Sequence, residues 1–163
     1  MPTYAEYKAL NTGQHYASKK SGAAIEVVIL NEDDPSVPII GATTGINVNE
    51  DFEANPVEEA GNDGVDEIVD GRHTVSFSIP GFWTPEWNDR LPTRQDFIGK
   101  SYLVLERIGK SQPGEGTVLN AYTGCKISGL GHSHGARGNK TLDIRFLAER
   151  RYNGDEWATL SGQ

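Results

Sequence analysis

One cysteine, Cys125, is all that the 163 residues contain, so no disulfide can form within the chain and packing alone must hold its core. No apolar run approaches the length of a membrane-spanning helix. The opening MPTYAEYKAL lacks the charged-then-apolar pattern of a secretory signal. Hydrophobic residues make up only 36% of the chain, against 19 glycines and 8 prolines, which implies many turns and a thin core. That length suits one domain. Positive charge is missing from a long stretch: between Ser21 and Gly71 there is no lysine or arginine, yet thirteen acids stand there. Outside that window fifteen basic residues face ten acids, so the window is −13, the remainder +5, and the chain −8. The overall sign argues against duplex DNA or an anionic membrane as an adhesive partner. Most simply the window is a solvated acidic loop; the sharper reading has it meeting a basic surface, such as the remainder of another copy.

What is present is β-structure with one helical interruption. Residues 65–108 form the organising stretch. Val75, Phe77 and Ile79 alternate with Thr74, Ser76 and Ser78, the period of a half-buried strand. Pro80-Gly81 stops that strand and Phe82-Trp83 follow as an apolar anchor. Thr84-Pro85-Glu86 then reads as a helix start, Pro92 interrupts it, Thr93 offers a second cap, and Gly99 is placed to end the second turn. The chain returns as a strand at Tyr102-Leu103-Val104-Leu105.

Elsewhere the pattern predicts strands over residues 25–30, 39–48, 117–129 and 141–149. Gly41 and Gly45 mark bends in the second of these. The strand over 117–129 places Leu119, Ala121, Thr123, Cys125 and Ile127 on one face. The last is the clearest alternation, with Leu142, Ile144, Phe146 and Ala148 inward and Leu147 breaking the outward polar face as the mark of a contact. Residues 49–64, NEDFEANPVEEAGNDG, read as a long acidic loop at the tip of a projecting hairpin. Residues 1–22 read as an arm or irregular edge and 152–163 as a polar tail. The expected fold is mainly β: a sandwich or small barrel of seven to eight strands with one short flanking helical segment and a long projecting hairpin loop.

Patterns that carry chemistry are scarce. Gly99-Lys100-Ser101 and Gly109-Lys110-Ser111 resemble the end of a phosphate loop, but Arg94 and Val104 stand where its first glycine is needed. His132 and His134 would share a strand face, yet a zinc site needs further ligands and glycines surround the pair. Cys125 in an apolar strand face is a buried small residue rather than a nucleophile. No carboxylate pair is framed to split two pKa values. Trp83 and Trp87, four apart, would stack along one helix face as an anchor; with Trp157 they could instead form an aromatic platform for sugar. These residues predict no enzyme, no cofactor and no metal site.

The acidic hairpin tip, the strand EIVDGRHTVSFSIPGFW, the capped helical segment and the closing TGCKISGLGHSHGARGNKTLDIRFLAER together resemble a phage tail tube protein. The closing pattern is a glycine-bearing strand around Gly124, a small polar turn, and a last strand ending in Phe146-x-x-x-Arg150. The resemblance spans residues 23–151 in the order of its elements. It implies a β-sandwich with a flanking helix that assembles as homohexameric rings, one sheet of each subunit joining a closed inner barrel. It also implies stacking of rings into a tube with an acidic lumen through which DNA passes without specific binding. The loop before the helix would contact the adjacent ring, which assigns ring stacking to Glu50, Asp51, Glu53, Glu58, Glu59 and Asp63; Trp83 and Trp87 keep the anchor role read from their spacing. Implied partners are other copies and further tail proteins (tape measure, terminator or sheath), with no membrane; the implied place is the virion tail, assembled in the host cytoplasm. Two other readings are a different ring of the same machine (baseplate, terminator or secretion-tube subunit) and a carbohydrate-binding β-sandwich.

Overall fold

The computed structural model describes residues 25–43, 45–57, 67–87, 90–109, 114, 116–134, 138 and 140–161. The expectation of an N-terminal arm lies outside them. Eight strands form among the described residues: β1 (Ile25–Asn31), β2 (Ile39–Thr43), β3 (Asn47–Val57), β4 (Glu67–Phe82), β5 (Tyr102–Ile108), β6 (Val118–Ser133), β7 (Thr141–Ala148) and β8 (Arg150–Asn153). All pairings are antiparallel. The first sheet runs β2-β1-β5-β6-β8 and the second β3-β4-β7-β6, so the 16-residue β6 belongs to both.

The two sheets close on each other through β2 and the end of β4. Ala42 and Trp83 exchange two backbone hydrogen bonds of 2.9 Å. The Thr43 hydroxyl donates to the Pro80 carbonyl at 2.6 Å and the Thr84 hydroxyl to the Ile40 carbonyl at 3.0 Å. This closure makes the sandwich a small barrel, as expected. It also explains Gly41, because a Cβ there would meet the Phe82 ring and the Trp83 carbonyl. The single strand expected over 39–48 is two strands. The chain leaves the first sheet at Thr43 and enters the second at Asn47, with Gly45 between.

Alternation sorts the core into two layers. Between the sheets lie Val27 and Ile29, Val75, Phe77 and Ile79, Val104, Tyr122 and Cys125, and Leu142, Ile144 and Phe146. On the other face of the first sheet Val28, Leu30, Leu103, Leu105 and Ala121 pack under Trp157. The first sheet is therefore buried on both faces, which is why β1 and β5 read as continuous apolar runs rather than alternating ones.

Trp157 sits on α2 (Gly154–Leu160), whose first turn is capped by the Asn153 side chain accepting from the Glu156 amide at 2.9 Å. The polar tail expected at 152–163 thus contributes a strand and a helix to the fold. The helical segment between β4 and β5 is a 3₁₀ turn (Pro85–Trp87) followed by the one-turn α1 (Arg94–Phe97). There the Asp96 carboxylate reaches back to the Thr93 amide at 2.7 Å, and that bond is the main reason its pKa is lowered. Gly99 ends the segment at φ +74°, as its position predicts.

One strand face departs from the expected alternation. Gly124 sits at φ +61° in a bulge of β6, where three steps from Tyr122 to Cys125 match two in β5, from Val104 to Tyr102. The extra residue turns Tyr122 and Cys125 into the same inter-sheet core. A separate register shift, with Asn120 opposite Glu106 and Val118 opposite Arg107, leaves Leu119 unmatched in β5 and exposed. A further bulge between Ile127 and Gly129 re-phases the strand again.

Candidate assembly interface

Among the described residues the second sheet has two open edges. β3 pairs only with β4, and along residues 126–133 β6 pairs only with β7 among the described residues. The second opening arises because β5 begins at Tyr102, opposite Cys125, while β6 continues past it. On the other side of β6, β7 and β8 follow one another in a single register. Long unpaired edges are templates for pairing with another chain.

The outward face of this sheet is polar, set by the same alternation that buries its other face. The paired rows run Lys126–Leu147–Ser76–Asn49 and Gly129–Arg145–Ser78–Asn47. Asp143 is held by the Gly81 amide at 2.8 Å. Asp51, beside Thr74, accepts from Asn49 at 3.1 Å. This face therefore carries both signs, Lys126 and Arg145 together with Asp143, Asp51 and Glu53. Leu147, the expected contact, is 48% exposed on it.

Beyond the core β3 and β4 continue as a hairpin. Every β3 residue except Glu50 is exposed, including Phe52 at 70%, stacked on His73 with ring centroids 4.4 Å apart. The loop expected over 49–64 is therefore strand as far as Val57. This places Glu50, Asp51 and Glu53 on β3, while Glu58, Glu59 and Asp63 lie outside the described residues.

Glu50 has a different position from its neighbours. It points inward and takes a two-pronged bond from Arg151 of β8, Nε to Oε1 at 3.0 Å and Nη2 to Oε2 at 3.1 Å. Arg151 Nη1 donates to Asn120 Oδ1 at 2.7 Å, and Asn120 Nδ2 to Glu106 Oε2 at 3.0 Å. His73 Nε2 lies 3.8 Å from Glu50. This ladder ties β5, β6 and β8 to the base of the hairpin. Glu50 is thus a brace for the hairpin, not part of its free surface. Sequence reasoning missed Arg151 and Asn120 because their partners are far away along the chain.

Tyr122 belongs to the core layer beside this ladder, with no exposed surface and its phenol near the Glu106 carboxylate. Burial, then the Glu106 carboxylate, pushes its phenol far above the ordinary range. Burial, then Asp96, pushes Tyr102 up to about 12. Above pH ~10 the unfolded chain loses these protons while the folded chain keeps them. Stability then falls with rising pH by about 1.4 kcal/mol per pH unit per tyrosine. Tyr122→Phe should remove one share of that alkaline loss. Urea melts between pH 7 and 11.5 check this; an unchanged alkaline slope would show that Tyr122 ionises as freely folded as unfolded.

The remaining candidates take structural positions. Trp83 is buried in the β2–β4 closure, and Trp87 packs edge-on against Phe82 at 5.4 Å and Phe97 at 6.0 Å. The two do not share a helix face, because Trp83 is still part of the sheet. With Trp157 buried under α2, the three tryptophans form no common platform for sugar. Burial, then Glu32, raises the Cys125 thiol well above its usual value, which suits a packing residue. His132 and His134 stack at 6.2 Å. Among the described residues no three His, Cys, Asp or Glu side chains gather closely enough to hold a metal ion. A cleft of about 330 Å³ opens between β1 and the helical segment, lined by Asn31, Val37, Trp87, Arg90, Asp96 and Tyr102.

No protein-family model matches the chain, and no curated protein matches it. Among solved structures it is similar to a chain of the anti-feeding prophage baseplate, 12% identical with a TM-score of 0.48, over 85% of this chain and 98% of that one. It is also similar to a chain of the tail of an empty gene transfer agent particle, 12% identical with a TM-score of 0.48, over 83% and 98%. A third is a chain of the cap that terminates the anti-feeding prophage tube, 15% identical with a TM-score of 0.44, over 86% and 95%. What this chain has in common with these three is a backbone layout at low sequence identity.

Proposed function

We propose that this chain is the structural subunit of a phage-type tail tube. Six copies join their second sheets edge to edge into one barrel, and the rings stack through the β3–β4 hairpin into a hollow conduit for DNA. One observation carries the reading: among the described residues both outer edges of that sheet are open, and they run in opposite directions. With four antiparallel strands per copy, residues 126–133 of one β6 meet the next copy's β3 antiparallel, and the pattern repeats unbroken around a ring. Closure removes every free edge of that sheet. Six copies supply twenty-four strands; at about 4.8 Å spacing and about 40° tilt these enclose a barrel about 48 Å between backbones and about 38 Å clear. The polar face would line that bore. Its charges of both signs, spaced by Ser76, Ser78 and Asn49, offer a passing polyanion no continuous cationic track. The natural companions of such a tube are other virion tail proteins.

Mass measurement in solution and negative-stain microscopy of concentrated protein test this directly. The expected particle has six times the 17.8 kDa chain mass and lengthens into tubes. A chain that stays monomeric at every concentration would overturn the proposal. Rings that never stack would point instead to a terminator or baseplate ring.

A further inference from the structure

Besides Arg72 of β4, next to Glu53, and Asp143 of β7, held by the Gly81 amide, exposed charges of opposite sign stand near the two edges of the polar face. Toward the β6 edge stand Lys126 and Arg145, and toward the β3 edge Asp51 and Glu53; all four are exposed. Among the described residues neither cation has an acid within ion-pair distance, and neither acid has a cation. Arg145 belongs to β7, one strand in from the edge, but its guanidinium lies flat over Gly129 of β6, in the space a Cβ would occupy there. The missing side chain at 129 lets Arg145 cross the edge strand and present its charge at the opening.

We propose that the joint between neighbouring copies is fixed by two ion pairs, Asp51 with the partner's Arg145 across Gly129, and Glu53 with the partner's Lys126. The proposal rests on the edge-to-edge closure above and adds its register. Antiparallel pairing of Asn47 with Ser133 continues as Val48 with His132, Asn49 with Gly131, Glu50 with Leu130 and Asp51 with Gly129. The bulge between Ile127 and Gly129 takes up one residue, and Phe52 then meets Ile127 and Glu53 meets Lys126. This alignment uses the whole open length of β6 and starts at the first residue of β3. It matches the faces as well as the charges. Asn47, Asn49 and Asp51 continue the polar side, while exposed Phe52 finds half-buried Ile127 on the other. A slip by one residue would put Phe52 on the polar side and Asp51 against the apolar one, which the alternation forbids. A slip by two would pair Asp51 with Lys126, leave the partner's Arg145 facing Asn49, and leave two residues of β6 open.

Charge reversal and cross-linking test the register. Asp51→Arg and Arg145→Glu should each raise the concentration needed for ring assembly by about tenfold or more, since opposed like charges replace an attraction at every joint. The double variant, carrying both, should assemble within about threefold of the parent. Circular dichroism and melting of each variant separate loss of assembly from loss of fold. Independently, Asn49→Cys with Gly131→Cys should oxidise to an inter-subunit ladder on denaturing gels, because those positions face each other directly. Asn47→Cys with Gly131→Cys, the pair opposed in the slip by two, should not. A ladder only from the second pair, or single reversals that assemble as the parent does, would overturn this register while leaving edge-to-edge closure standing. A parent protein that forms no rings overturns the closure itself.

Discussion

Arg107→Met is expected to destabilise the subunit by about 3–5 kcal/mol, and Glu26→Leu in the same chain is expected to recover most of that loss. Arg107 of β5 has no exposed surface and faces Glu26 of β1, 6% exposed, with Nη2 and Oε1 2.6 Å apart. Alternation puts both on the side of the first sheet that Val28, Leu30, Leu103 and Leu105 share with Trp157. Removing only the cation takes away the Glu26 carboxylate's 2.6 Å guanidinium contact in a mostly apolar layer, where its desolvation is then less fully offset. Removing both leaves two apolar side chains of similar bulk in a layer already built for them. The double variant should therefore lie within about 1 kcal/mol of the parent or above it. Urea denaturation of the four chains of this cycle gives the coupling. A single-variant loss below about 1 kcal/mol would mean that water reaches Glu26 once the arginine is gone.

How legible such features are in the sequence depends on how local their causes are. β7 and the core-facing part of β4 follow from alternation alone, because one face of each is buried and the other is not. The Thr93 cap and the stop at Gly99 are equally local. β6 was misread because a single left-handed residue, Gly124, shifts the period, and no pattern of apolar residues marks where a bulge falls. The C-terminal helix was missed for another reason. Tyr152-Asn153-Gly154-Asp155 has the composition of a turn, and only the burial of Trp157 distinguishes a capped helix from it. The brace from Arg151 to Glu50 joins residues 101 apart in the chain, and its partners look like any other surface charges. Arg145 could be placed outward from alternation, but its position over Gly129 depends on a bulge two residues away.

Deleting residues 54–71 and joining Glu53 to Arg72 through Asn-Gly is expected to give folded subunits that form rings but no tubes. In the described part of this segment every β3 side chain is exposed, so little buried surface is lost with it. The shorter loop returns up to about 2 kcal/mol of closure entropy, which the lost β3–β4 pairs offset. The deletion leaves in place the brace at Glu50, the stack of Phe52 on His73, and both acids assigned to the joint between copies. Ring closure should therefore survive. What goes is an arm of strand that runs about 15–20 Å past Phe52 together with six acids and no basic residue. If that arm docks on the basic remainder of the next ring, its removal abolishes stacking. In the parent protein, tube length should then shrink as salt rises and the screening length falls from about 10 Å at 0.1 M. Microscopy of the deleted chain should show single rings, and circular dichroism an unchanged β spectrum. Long tubes from the deleted chain would move stacking off the hairpin, with residues 1–22 as the next segment to remove.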